Sequence, residues 1–303
     1  MKKNLLILVL LAFAVLGSSA QSTHKPTVMK PSSYRSKVVL TISGKPSGYY
    51  SLSHEKPSVI NLNGPGVLKV ITRVRFTPNA SSKLNYQFSY VVNGAAPKTA
   101  KFSGVVRSEF AAYDVSIDAK PGQSRETEIN LGRGVNTIEF LLPDPSVAVD
   151  ARYIFTPTKD KKTEWISYAP MPPVEPVELV SQEENVKYYR FSKEKPLKVE
   201  LTGPTELRVF TRIENHFNMK GRINYRLQVK DNNQVVYTYQ LSSTHSETTT
   251  YKDNAKLIPG KACEFVIEVP KGKHVYEIIP LDEDKNTVLG RTMIPSKAVN
   301  LGK

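Results

Sequence analysis

Cysteine is almost absent from this chain. Cys263 is the only one in 303 residues, so no intrachain disulfide can form. Each folded unit must therefore be held by burial of its own apolar side chains. A unit of roughly a hundred residues can manage that without covalent staples. The thiol shares the parity of Phe265, Ile267 and Val269 in an alternating run, so it reads as a small buried side chain, not a nucleophile. Tryptophan is equally scarce, with Trp165 alone beside fifteen tyrosines. Sugar platforms often use both ring types, so the imbalance weighs mildly against a carbohydrate ligand.

Catalytic and metal-binding vocabulary is also missing. The five histidines, His24, His54, His216, His245 and His274, fall in neither H-x-x-x-H nor H-E-x-x-H spacing, and one cysteine cannot build a Cys-based zinc site. There is no G-x-S-x-G elbow, no P-loop and no G-x-G-x-x-G. The acidic run 282–284 lacks the spaced oxygen ligands and mid-loop glycine of an EF-hand. No metal and no cofactor are expected. An enzyme reading is left with dispersed carboxylates such as Glu126 and Glu264.

Long apolar runs are confined to the start. Lys2 and Lys3 precede a continuous apolar stretch from Leu5 to Leu16, and small residues 17–20 follow. That order is the pattern of a cleaved secretory signal over residues 1–20. About twelve apolar residues are too few to span a bilayer, and no cysteine follows for lipid attachment. The expected location is therefore periplasmic or extracellular, with no transmembrane segment after cleavage.

What is present is basic charge, spread evenly. The formal charge of +14 falls to +12 without Lys2 and Lys3. Residues 21–160 carry 18 basic and 10 acidic side chains (+8), 161–186 carry 2 and 5 (−3), and 187–303 carry 20 and 13 (+7). No run of five or six basic residues occurs, so a solvated surface comes before an anionic partner as the explanation. Nucleic acid is not an expected partner, since no recognition motif accompanies the charge.

The strongest pattern is an internal repeat. Residues 49–73 and 188–212 match at 13 of 25 positions at a constant offset of 139. Unrelated sequences would share about one or two. Asn85-Tyr86 then maps to Asn224-Tyr225, and at an offset of 138 Pro121-Gly122 maps to Pro259-Gly260. The expected organisation is a polar lead-in (21–46), repeat 1 (47–158), a Pro-rich acidic linker (159–185), repeat 2 (186–296) and a tail (297–303). The lead-in is expected to be loose, and the linker extended and semi-rigid.

Period-two alternation predicts strands throughout. Leu68, Val70, Thr72 and Val74 share one face, with Lys69, Ile71, Arg73 and Arg75 on the other. The later run Leu84, Tyr86, Phe88 and Tyr90 behaves likewise, as do Ile223, Tyr225, Leu227 and Val229. The fold class read from this is all-β: two tandem antiparallel β-sandwiches, immunoglobulin-like or jelly-roll, related by duplication. One face of each sheet is expected to be wet.

Polar residues kept in both repeats are the site candidates. Thr72-Arg73 recurs as Thr211-Arg212, and Glu139 as Glu277. Cross-strand ion pairs Arg73–Glu139 and Arg212–Glu277 are one expectation. The alternative is an anion site in which Arg73 and Arg212 act with Lys69 and Arg208 on an exposed face. Tyr49-Tyr50 and Tyr188-Tyr189 point to opposite faces, so Tyr50 and Tyr189 become candidate outward platforms. Trp165 is read first as packing the linker, and second as a ligand contact.

The functional expectation is a non-catalytic exported protein. Tandem sandwiches would engage an anionic polymer, a glycan or an envelope protein, gaining avidity from two sites. The alternative is a structural or assembly component without a small-ligand site, and a hydrolase ranks third. At the level of architecture alone the chain resembles exported adhesion, glycan-binding and envelope proteins. No residue role follows from that. Segments 95–119 and 234–257 diverge between the repeats, which makes them the first place to seek a tuned site.

Overall fold

The computed structural model describes residues 25–114, 117–159, 162–182, 184–216, 221–285 and 287–298. The expected signal segment, 1–20, lies outside the described residues. The chain is all-β, and its helical content among the described residues is limited to short 3-10 turns at Glu283–Lys285 and 296–298. No helix among them is long and apolar enough to cross a membrane.

The N-terminal half runs through β1 (Thr27–Met29), β2 (Lys37–Ile42), β3 (Lys45–Ser51), β4 (Ser58–Phe76) and β5 (Leu84–Val92). It continues with β6 (Lys98–Val105), β7 (Ala111–Tyr113), β8 (Lys120–Pro121), β9 (Arg125–Leu141) and β10 (Val149–Pro157). The long strands β4 and β9 pair from Ser58↔Phe140 to Thr72↔Arg125, with a register break between Gly64 and Gly66. On one side of the break β9 also pairs with β5, which carries β6. On the other side β4 pairs with β10, which carries β1 and β3, and β3 leads on to β2 and β7. One ribbon thus bends through both layers and closes a sandwich. This nesting of sequence-distant strands is the jelly-roll alternative. A Cβ on Gly64 would collide with the Gly132 carbonyl at the bend, so the close crossing needs glycine there.

The C-terminal half repeats the plan. Its strands are β11 (Trp165–Tyr168), β12 (Glu175–Ser181), β13 (Glu184–Phe191), β14 (Leu197–His216) and β15 (Ile223–Asp231). They continue as β16 (Gln234–Ser243), β17 (Thr249–Tyr251), β18 (Leu257–Pro259), β19 (Cys263–Pro280) and β20 (Val288–Pro295). β14 pairs with β19 across a register break at Gly203/Thr205, and β20 takes the place of β10. Small details recur as well. Thr72 Oγ1 lies 2.8 Å from Tyr86 Oη, and Thr211 Oγ1 lies 2.9 Å from Tyr225 Oη. Each pair satisfies two buried hydroxyls across the core, joining one layer to the other.

The core follows the alternation. Leu68, Val70 and Val74 are fully buried with Ile60, Phe88, Phe140 and Tyr153 in the N-terminal cluster. Leu207, Val209, Leu227, Phe265 and Ile278 do the same in the C-terminal one. Each such aliphatic side chain stabilises the fold by about 1.5–3 kcal/mol.

Two segments differ from expectation. The lead-in is not loose: β2 lies within 21–46, and Leu40 is fully buried. The stretch 159–185 is not a free linker: it supplies β11 to β20 and β12 to β13 and β17. These additions cover the face expected to be wet. Val38, Leu40 and Tyr49 form a second apolar layer in the N-terminal half, and Val177, Leu179, Tyr188, Tyr251 and Leu289 its counterpart. Alternation in β4 signalled one buried face, while the cover for its other face comes from distant, proline-rich sequence that reads as loop.

The halves touch directly. The tip of the β5–β6 hairpin reaches across, and Asn93 O accepts a hydrogen bond of 2.7 Å from Thr238 N. Gly134 pairs with Phe265, at φ +85°, with no room for a Cβ against the Glu264 carbonyl. Val135 packs on the C-terminal core.

Candidate functional site

Arg208 and Trp165 come together, and the other expected site residues do not join them. Tyr50 is 7% exposed and packs in the N-terminal core beside Tyr34 and Tyr153, so it is no outward platform. Tyr189 is half-buried against the C-terminal core. Both faces of β3 and β13 are covered, which is why neither tyrosine of each pair faces water. Lys69 holds Glu126 at 3.0 Å and Glu128 at 3.6 Å. Arg208 makes a two-pronged contact with Glu264, through Nε at 2.8 Å and Nη2 at 3.0 Å. Glu126 and Glu264, the dispersed carboxylates of a hydrolase reading, are therefore both engaged by cations.

The expected Arg–Glu pairs are not formed. Arg73 is buried and donates from Nη1 to the Gly122 carbonyl at 2.7 Å. Arg212 donates in the same way to Gly260, at 2.7 Å, and its Nε contacts Tyr188 Oη at 3.2 Å. Each arginine satisfies the Pro-Gly carbonyl beside β8 or β18. Glu139 instead accepts from Gln240 at 3.4 Å, and Glu277 binds its cross-strand neighbour Lys198 at 2.6 Å. These arginines recur because they hold a turn.

Trp165 lies at the joint. The guanidinium groups of Arg133 and Arg208 both contact its ring, 5.5 Å and 5.3 Å from the centroid. It ties the start of the C-terminal half to both sandwiches, in keeping with a packing role.

A second polar cluster is structural and shows how the halves diverge. Asp150 is fully buried and accepts from Ser51 Oγ (2.8 Å), Tyr113 Oη (2.8 Å), Arg75 Nε (2.8 Å) and Arg75 Nη2 (2.6 Å). Burial, then the neighbouring carboxylate, pushes the Tyr113 hydroxyl well above its ordinary range. At the matching place in the C-terminal half the charges are exchanged. Glu214 stands where Arg75 does, Arg190 where Ser51 does, and Leu289 where Asp150 does. Arg190 Nη2 meets Glu214 at 2.7 Å and also contacts Glu175, while Tyr251 Oη donates to Glu214 at 3.1 Å.

A cleft at the joint brings together side chains from both halves. Its volume is about 380 Å³, within the size range of small-ligand sites. The N-terminal half contributes Tyr90, Asn93, Lys98, Glu128 and Asn136, and the C-terminal half Glu206, Tyr237 and Glu268. One wall is locked in place. Asn93, at φ 52°, accepts from Thr137 N at 2.8 Å and donates to Asn136 Oδ1 at 3.3 Å. Asn136 Nδ2 donates to the carbonyls of Gly132 and Gly134, each at 2.9 Å. Burial, followed by Glu268 and Asp231, raises the Tyr237 hydroxyl above its ordinary range, so it stays a neutral donor. Glu206 and Glu268 face each other across β14 and β19. Among the described residues no group of three or more metal-ligating side chains is present.

Sequence reasoning missed this cleft. Asn93-Gly94 has the composition of a hairpin turn, but the docking of that turn on β16 is a tertiary fact. Tyr237 lies in the divergent segment 234–257, and that was the available signal.

No protein-family model and no curated protein matches the chain. Among solved structures it is similar to the tandem CBM22 domain of Paenibacillus barcinonensis Xyn10C, with 12% identity, 91% of this chain and 99% of that one covered, and TM-score 0.25. It is similar also to the ANX2 ectodomain of Arabidopsis thaliana (10% identity, 88% and 89% covered, TM-score 0.24) and to N-glycanase F (10%, 89% and 96%, TM-score 0.22). Likeness at that level carries nothing about ligand or activity.

Proposed function

We propose that this is an exported, non-catalytic binding protein whose two sandwiches form one site at their joint, taking a glycan or similar polymer. The observation behind this reading is the cleft built by Tyr90 and Tyr237 from opposite halves. Tyrosine rings offer apolar faces for sugar rings, and amides and carboxylates pair with hydroxyls. The site is preorganised by the Asn93–Asn136 hydrogen bonds, which limits the ordering entropy lost on binding. Two sandwiches joined by direct contact also fix the spacing of anything bound across them.

The test is retention of the full chain on a glycan array and on immobilised envelope polysaccharides, compared with Tyr237→Ala. Binding by the native chain that falls about tenfold or more in the variant, at unchanged melting temperature, supports the reading. No retention on any polymer, or equal retention by the variant, overturns it.

One observation favours a second reading. Glu206 and Glu268 are directly opposed in the same cleft, and paired carboxylates can hydrolyse glycosidic bonds. Release of reducing ends that is lost in Glu268→Gln would establish that reading. Binding without any release excludes it.

A further inference from the structure

A second groove at the joint, of about 670 Å³, shares only Val135 with the tyrosine cleft. Its floor is the outer face of β15 and β16, where Asn224 lies opposite Ser242 and Arg226 opposite Gln240. Arg222 precedes β15 on the same face. One wall comes from the N-terminal half, with Asn61 and Asn63 of β4, and the other from Asp282 and Lys285. The lining carries three basic side chains, Arg222, Arg226 and Lys285, to one acidic one, Asp282.

The arginines are set differently. Asp282 grips Arg226 through Nε (3.1 Å), Nη2 (2.9 Å) and the backbone NH (2.6 Å), which fixes that side chain along the floor and leaves Nη1 free of these contacts. Arg222 is exposed, and no ion pair holds it among the described residues. The two are four residues apart on an extended chain, about 13 Å at ordinary strand rise.

We propose that this groove binds an acidic polysaccharide, with Arg222 and Arg226 engaging carboxylates along the chain. A guanidinium fork matches a planar carboxylate. Asn63, Asn224, Gln240 and Ser242 supply paired donors and acceptors that suit sugar hydroxyls. The floor presents no open aromatic face, since Tyr225 beneath it is 2% exposed. Single-stranded nucleic acid would lack the stacking it needs there. The overall positive charge assists encounter with any polyanion, while the groove's amides select among polyanions. This site is separate from the tyrosine cleft and stands whether or not that cleft binds.

The experiment is calorimetric titration of the full chain with polygalacturonate, neutral dextran and poly(dT). Arg222→Glu is compared with Lys45→Glu, an equal charge change at an exposed lysine of the β2–β3 hairpin. The expected result is binding of polygalacturonate but not dextran, weakened about tenfold or more by Arg222→Glu and less than about twofold by Lys45→Glu. Tyr237→Ala leaves this binding unchanged, which separates it from the cleft. Absence of polygalacturonate binding, equal weakening by both charge reversals, or poly(dT) binding as tight as polygalacturonate overturns the proposal.

Discussion

Replacing Asp150 with leucine probes the electrostatics of the N-terminal sandwich. The carboxylate is fully buried and accepts four hydrogen bonds, two from Arg75 and one each from Ser51 and Tyr113. Hydrogen bonds to a charged group are each worth about 1.5–3 kcal/mol, but the desolvation of the carboxylate is recovered when it is removed. What remains is the cost of stranding Arg75, whose side chain is only 20% exposed. Breaking one partner of such a pair costs about 3–5 kcal/mol. The C-terminal half shows how to repair it, since leucine occupies the matching site there and the pair is Arg190–Glu214. The triple change Ser51→Arg, Arg75→Glu, Asp150→Leu should therefore recover most of the loss. Guanidinium unfolding, followed by tyrosine fluorescence, measures both. A single variant within about 1 kcal/mol of native, or a triple variant no better than the single, would refute the reasoning.

Thr72→Val orphans the buried Tyr86 hydroxyl and should cost about 1–2 kcal/mol, while adding Tyr86→Phe should cost less than the two single changes summed. A double-mutant cycle by urea unfolding reads this coupling, and strict additivity would contradict an inter-layer hydrogen bond. Asp282 offers a pH test. Burial pushes its carboxyl up, but the hydrogen bonds and charge of Arg226 outweigh this and hold it below the ordinary aspartate range. A depressed value in the folded state means the Arg226–Asp282 contact stabilises above about pH 4 and is lost as pH falls through the depressed value. Amide exchange at Arg226 should accelerate only on that acid side, and Asp282→Asn should remove the dependence.

The architecture was legible because period-two alternation in β4, β5, β14 and β15 is strong and the offset of 139 pairs their turns. The second apolar layer was not. Val38 and Leu40 lie in a Ser- and Lys-rich segment, and Val177 and Leu179 follow a proline cluster, so composition masked short strands whose partners are distant. The repeated Arg73 and Arg212 invited an ion-pair reading because cross-strand geometry favours one. Their true acceptors are main-chain carbonyls, which sequence does not advertise. The cleft and the groove depend on how one half docks on the other, through Gly134 and the Asn93 turn, and no local pattern announces that contact. The paired topology supports the proposal that one sandwich unit was duplicated, with its buried charge pair reversed and its binding surfaces diverging afterwards.

Hydrogen–deuterium exchange of the full chain, with and without a polysaccharide that the array identifies, tests the central claim most directly. Occupation of the joint predicts slowed exchange at 90–98, 128–136 and 234–240 together, because both halves line one cleft. Protection confined to one half, or centred on the 106–123 segment of the N-terminal half, would contradict it.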